Sequence, residues 1–386
     1  GFFASPGVYS TPRPWEYFEF PEGAIAIRDG HYALKIMEPM EEVAYLDHVR
    51  LHTYDLADGW SMTLDERFYT GGGPAPTGKA LFYQDQHMIS PSKASTHTGD
   101  DVTAAVAHAD FEAAPPGQRD PRFLGRLADE YTLTLEFDQV INPPGSQPVL
   151  MAAAWIEYPY SQTVFSAWQS GTSYAPPSLE AYADGRWQMV YQHFGLPGGM
   201  PRETSLPLAD LPANTTALRL STLSEVYWDQ LSIVYAQTPP EGTVVAHVEK
   251  PSVAQLRKTG FPRRELNAQR RPWYDYNDRA TYWDTAYPEG LYTALGPVEP
   301  LVDTLDDAFA LVGPGEELHL EFTAPAEVED MRRVVVAEIR GYARDMDPYT
   351  QYGNTIEPFP NTPGLENSDA RERLHPLYMT RPKGGF

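Results

Sequence analysis

The stretch Tyr131-Thr-Leu-Thr-Leu-Glu-Phe137 decides the fold. Leu133, Leu135 and Phe137 alternate with Thr134 and Glu136, a period of two that buries one face of a β-strand. The pattern returns in Glu317-Leu-His-Leu-Glu-Phe322, with Leu318, Leu320 and Phe322 as its apolar row. After a polar or Pro-rich gap, each is followed by a second apolar strand. These strands are Val149-Leu-Met-Ala-Ala-Ala-Trp-Ile-Glu-Tyr158 and Val334-Val-Val-Ala-Glu-Ile-Arg-Gly-Tyr342. Glu136 and Glu321 lie 185 positions apart.

A second pair recurs at nearly the same offset. Ala33-Leu-Lys-Ile36 leads to Glu42-Val-Ala-Tyr-Leu-Asp-His-Val-Arg-Leu51, and Ala217-Leu-Arg-Leu220 leads to Glu225-Val-Tyr-Trp-Asp-Gln-Leu-Ser-Ile233. Asp47 and Asp229 are 182 positions apart. Two motif pairs in the same order predict an internal duplication. Along the second copy, Trp228, Gln230, Ser232 and Val234 fall on one face of a strand. Asp229, Leu231, Ile233 and Tyr235 fall on the other.

The expected class is therefore all-β, with two related β-sandwich or jelly-roll domains and few short helices. Leu124 to Glu130 and Leu301 to Leu311 are the helical candidates. Asp184-Gly185 between Leu179–Tyr182 and Trp187–Tyr191 predicts a tight hairpin. The C-terminal Leu-Glu-Phe unit has no closing strand downstream, and the N-terminal Leu-Asp-His-Val strand has no opening unit upstream. The order of the pieces thus predicts that both chain ends build one sandwich, made of residues 1–127 and 239–386. Residues 128–238 would form the inserted one.

Composition narrows the functional classes. The 386 residues carry a net charge of −24, which opposes nucleic acid and anionic membrane as partners. With 37 Pro and 29 Gly, turns between short strands are expected rather than long helices. There is no cysteine, so disulfides, thiolate metal sites and cysteine nucleophiles are excluded. The longest apolar run, Pro148 to Ile156, is too short to cross a bilayer as a helix. The start at Gly1-Phe-Phe reads as a mature form or as a piece of a longer chain.

Motifs for chemistry are sparse. No nucleophile elbow or phosphate-binding fingerprint occurs, and Gly71 to Gly78 lacks the strand-to-helix setting that phosphate needs. His48 and His52 share a strand face about 13 Å apart, too far to hold one metal. Asp345, Asp347 and Thr350 have the alternate oxygens of a calcium loop, although a turn capped by aspartates has the same signature. Calcium is the one cofactor this suggests. Trp168, Trp187 and Trp283 are candidates for stacking on sugar rings. Among 53 acids no pair for glycan cleavage can be nominated.

Two resemblances rest on these strands. Asp47 and Asp229 in their motifs resemble the last strand of galactose-binding-like jelly rolls, where the aspartate is structural. Glu42 to Leu51, Asp65-Glu-Arg-Phe68, Val226 to Gln230, Tyr274-Asp-Tyr276, Gly313 to Phe322, Gly341 to Asn354 and Glu357-Pro-Phe-Pro360 carry the other. They resemble the C-terminal region of exported bacterial FG-GAP/ASPIC-UnbV proteins, related to cartilage acidic protein. This resemblance implies β architecture and secretion or a periplasmic location, and it implies no catalysis. The chain lacks the calcium-loop repeats of an FG-GAP propeller.

The expected function is a non-catalytic interaction or scaffold protein outside the cytoplasm, an accessory subunit that contacts other protein subunits of a surface or envelope assembly. A carbohydrate-binding module with a glycan partner is the alternative, and a glycan hydrolase a weaker one. An exposed apolar patch would favour the first, an aromatic groove with convergent polar groups the second, and facing carboxylates in a cleft the third.

Overall fold

A computed structural model describes residues 15–69, 73–281, 286–362, 365 and 369–383. The protein is all-β, with strands forming 48% of it and helices 8%. Two compact units divide the chain. Unit 1 comprises Leu56–Val244 and Leu266–Pro272, and unit 2 takes the chain up to Asp55, Val245–Glu265 and everything from Trp273 on.

Unit 1 packs two antiparallel sheets face to face. In one, Arg126–Glu136 lies between Ala217–Ser224 and Lys93–Thr96, with Ser178–Ala183 and Arg186–Tyr191 beyond Ala217–Ser224. In the other, Pro148–Ile156 lies between Arg202–Pro207 and Val226–Tyr235. Leu133, Leu135 and Leu218 of the first meet Leu150, Ala152, Leu231 and Ile233 of the second in one buried cluster. The period-two pattern of the sequence thus becomes the inner face of a sandwich.

Unit 2 also contains two antiparallel sheets. Glu316–Thr323 lies between His31–Met37 and Val253–Lys258 in one sheet, while Glu42–Ala57 lies between Met331–Asp345 and Val244–Glu249 in the other. The registers correspond as well. Ala217, Leu218 and Leu220 pair with Glu136, Leu135 and Leu133. Ala33, Leu34 and Ile36 pair with Glu321, Leu320 and Leu318.

The two motif aspartates also have one geometry. Asp47 accepts the backbone N–H groups of Asp306 (3.3 Å) and Asp307 (3.1 Å), and Asp229 accepts that of Phe111 (3.0 Å). Asp307 and Phe111 both have positive φ, at 60° and 69°. Asp306 and Asp110 each cap the N–H two residues on, at Ala308 (3.1 Å) and Glu112 (3.0 Å). The core-facing residues shift parity at each aspartate. Leu46 and Val49 share one core, as do Trp228 and Leu231. A bulge between Trp228 and Gln230 is the cause in the second case. Trp228 therefore joins the face of Leu231 and Ile233, against strict alternation, while Val234 packs with Tyr83, Val149 and Met151.

Several boundaries differ from expectation. The first unit boundary falls at 55/56 and not at 127/128, because the intervening chain is bonded into unit 1. Trp60–Leu64 pairs with Ala80–Gln84, Lys93–Thr96 joins the first sheet, and Ser205 Oγ donates to Leu64 O (2.5 Å). Leu266–Pro272 is held there too: the Gln269 amide bonds both backbone groups of Ala113 (3.1 and 2.7 Å), and Trp155 Nε1 donates to Gln269 O (2.7 Å). Of the two expected helices, Leu124 to Glu130 runs into a strand. In Leu301 to Leu311, aspartate capping and the positive φ of Asp307 leave a 3-10 turn over Glu299–Leu301 and the start of the strand Ala310–Val312. The α-helices among the described residues are α1 (Ser161–Gln169) and α2 (Ala370–Tyr378). The Asp184-Gly185 hairpin forms as read, with φ of 51° and 77°.

Deleting the chain up to Asp55 removes a central strand from each sheet of unit 2. Limited proteolysis of that truncation is expected to leave unit 1 as a resistant fragment while unit 2 is digested. Asp229→Ala removes the acceptor of the part-buried Phe111 N–H, at a cost of about 1 kcal/mol. Calorimetry is expected to show a lower melting temperature for it, with Asp229→Asn between that variant and the parent.

Candidate functional site

The buried charges are the first place to look for chemistry. In unit 2, Glu38, Glu42 and Asp345 are all buried. Burial, opposed by a bond from Met40 N–H and reinforced by Asp345, pushes Glu38 up to about 8. Burial, with Glu38 and Asp345 nearby, also raises Glu42 well above the usual carboxylate range. Glu42 shares a hydrogen bond with Asp345. The cluster is held by shared protons where the turn before Glu42–Ala57 meets the end of Met331–Asp345.

This places the first residue of the expected calcium set. Asp345 faces Glu42, while Asp347 turns to its own loop. Its Oδ1 accepts Tyr349 N–H (2.7 Å) and Thr350 N–H (3.0 Å), and its Oδ2 accepts the Thr350 hydroxyl (3.3 Å). The carbonyl oxygens of Asp345, Asp347 and Thr350 pack on Gly353, where a Cβ would stand 3.0, 2.5 and 3.2 Å from them. The centre of the loop is filled by backbone. Among the described residues, no group of three His, Asp or Glu side chains has the geometry to hold a metal.

Other polar groups serve the sheets. His48 Nε2 lies 3.5 Å from Glu338 Oε1, and His52 bonds Oε2 of the same carboxylate. Burial pushes Glu338 up, but the hydrogen bonds from the two imidazoles hold it near 2. Sequence reading put these histidines on one face and missed the glutamate from the neighbouring strand, which no local pattern announces. In unit 1, Arg67 is buried and spends its guanidinium on Asp65 and on the carbonyls of Phe194, Ser205 and Pro74. Burial raises Glu203 to about 6, against a hydrogen bond from Thr63.

The aromatic candidates separate. The Arg219 guanidinium sits 3.8 Å over the Trp187 ring, and Arg219 is paired with Glu180 at 3.2 Å. That face of Trp187 is covered. Trp168 is 69% exposed on α1, touching Phe165 at a 5.5 Å centroid separation. Trp283 lies outside the described residues.

Unit 1 carries an open groove of about 850 Å³. The turn Asp85–His87 and the chain to Ser92 form one wall, and the loop from Asp138 to Gln147 the other. The end of Val226–Tyr235 is its floor. Asp138 is its only carboxylate, and no Lys or Arg lines it. The carboxyls raised by burial (Glu38, Glu42, Asp47, Glu203, Asp229 and Asp306) lie elsewhere.

No family model matches the chain, and no curated protein matches it. Among solved structures, it is similar to the VP16-VP17 complex, a complex of the two major capsid proteins of bacteriophage P23-77, at 8% identity and a TM-score of 0.13. That overlap covers 85% of this chain and 100% of the other. VP17, a capsid protein of the same phage, gives 9% identity and a TM-score of 0.13, over 86% and 98% of the two chains.

The Glu38 cluster sets a pH dependence. A carboxyl raised in the folded state stabilises below its unfolded pKa, and the stability is lost as pH rises through the folded value, here about 8. The melting temperature is expected to fall between pH 6 and pH 9. Glu38→Gln should flatten that fall, as differential scanning calorimetry across the range will show.

Proposed function

We propose that the chain is a non-catalytic scaffold subunit that contacts other protein chains in an assembly outside the cytoplasm. Helix α1 carries this reading. Val164 and Trp168 lie one helical turn apart and both are exposed, with Phe165 beside Trp168. An apolar, aromatic surface of this kind loses free energy when another protein covers it, and Trp is among the residues that dominate interfaces. Unit 2 likewise exposes Trp273, Tyr276 and Leu377.

The polar interior supports the non-catalytic part. The carboxyls of Glu38, Glu42 and Asp47, which burial raises, are packed inside unit 2. The groove of unit 1 has a single carboxylate, whereas glycan cleavage by the usual route needs two. Absence of cysteine, an acidic surface and the likeness to exported FG-GAP/ASPIC-UnbV proteins are the supports for an extracytoplasmic place.

Gentle isolation of the native protein followed by native mass spectrometry tests the reading. The expected result is co-purifying protein subunits, with Trp168→Asp weakening the complex at least tenfold while the melting temperature holds. A lone monomer, or a complex indifferent to Trp168→Asp and to the corresponding change at Trp273, would sink it.

A further inference from the structure

The groove of unit 1 exists because strand pairing is interrupted there. Ile233 exchanges both backbone hydrogen bonds with Ile89 (2.8 Å each), and Gln237 N–H donates to Phe82 O (2.8 Å). Tyr235 lies midway between them, so its N–H and C=O face the same edge of the strand. Between Phe82 and Ile89 the chain turns away through Asp85–His87 and leaves Tyr235 with no ladder partner on that side. A donor and an acceptor of the main chain are left at the floor of the groove.

Carboxamides recur among the side chains around it. The carboxamides of Gln139, Gln147 and Gln237 line the groove and make no hydrogen bond to other described residues. Each offers a donor and an acceptor side by side. Tyr235 adds a half-buried ring, and burial pushes its hydroxyl up, which keeps it neutral. In a chain with 53 acids against 29 Lys and Arg, a groove with one carboxylate, one imidazole (His87) and no Lys or Arg is a patch of low charge.

We infer that this groove is a binding site for a neutral oligosaccharide. The chemistry selects against the other ligand classes. Phosphates and sulfated or uronic glycans need several cationic donors, and the groove has no Lys or Arg and the single imidazole of His87. A hard cation needs several oxygen ligands of which some are charged, and Asp138 is alone. A lipid needs a mostly apolar wall, whereas here carboxamides and serines share the wall about evenly with Met88, Ile89, Pro143, Tyr235 and Ala236. Neighbouring hydroxyls of a sugar each donate and accept, which a free carboxamide matches with both of its ends, and a tyrosine ring packs on the C–H face of a pyranose. The volume lies in the upper part of the range for small-ligand sites, about 300–1,000 Å³, and suits an oligosaccharide better than one sugar. A one-residue gap in the ladder is too short to seat an added peptide strand.

Titration calorimetry of the full chain against neutral pentasaccharides tests this. The panel holds cello-, malto-, manno-, galacto- and N-acetylglucosamine oligomers, with a polygalacturonate oligomer and an extended Gln/Ser peptide as comparisons. At least one neutral oligomer is expected to bind with sub-millimolar affinity, and the anionic oligomer at least tenfold more weakly. Gln147→Ala with Gln237→Ala is expected to weaken binding at least tenfold at an unchanged melting temperature, and Gln139→Ala severalfold. Four results would overturn the inference: no neutral oligomer bound at millimolar concentration, anionic and neutral oligomers bound alike, the peptide bound in their place, or affinity indifferent to all three glutamines. None of them bears on the assembly reading, which rests on α1.

Discussion

A carboxylate in the middle of a buried strand must find hydrogen-bond donors or take up a proton. At Asp47 and Asp229 the donors come from the backbone of a separate loop, whose second residue is bent into positive φ. That contact ties a distant piece of chain to the strand, and the strand shifts parity around it. Apolar residues before and after the aspartate can then share one core, as Leu46 with Val49 and Trp228 with Leu231 do. Without the shift, half of each strand would turn its apolar residues away from the opposing sheet.

The same contact recruits charge in unit 2. Asp307 is bonded by Thr362 through N–H and hydroxyl (2.8 and 2.6 Å), and Arg371 Nε donates to its carbonyl (3.0 Å). Arg340 bonds the Thr362 hydroxyl (3.1 Å). Burial raises Asp47 to about 7, partly countered by the two N–H groups. Such a network is expensive to break, because loss of one member leaves the others buried without partners. Asp47 and Asp307 hold backbone N–H groups and a hydroxyl from distant parts of the chain, and burial is the largest cause of the raised pKa of Asp47.

The groove of unit 1 contrasts with these networks. Its amides have no task in the fold, and the carbonyl and N–H of Tyr235 are left over where pairing stops. Polar groups spent internally cannot also hold a ligand, so the groove of low charge and the charged interior divide the protein's polar chemistry between binding and stability.

Period-two alternation in Tyr131–Phe137 and Glu317–Phe322 determined, by itself, the all-β class and the inward face of these strands, because burial on one side of a pleat leaves a local signature. The Asp184-Gly185 turn was legible for the same reason, since positive φ at both positions is a property of those two residues. Chain order predicts one sandwich from both ends; by contacts, the described residues up to Asp55 fall in one unit with those from Trp273 on, and Leu56 to Leu127 fall in unit 1. Tertiary structure alone decided the rest. The bulge at Asp229, the Glu338 carboxylate between His48 and His52, the Arg219 cover over Trp187 and the carbonyls packed on Gly353 all join residues far apart in sequence or depend on side-chain direction. The groove belongs to this class as well: it is made by strands that part company, and the absence of pairing has no pattern in a linear chain.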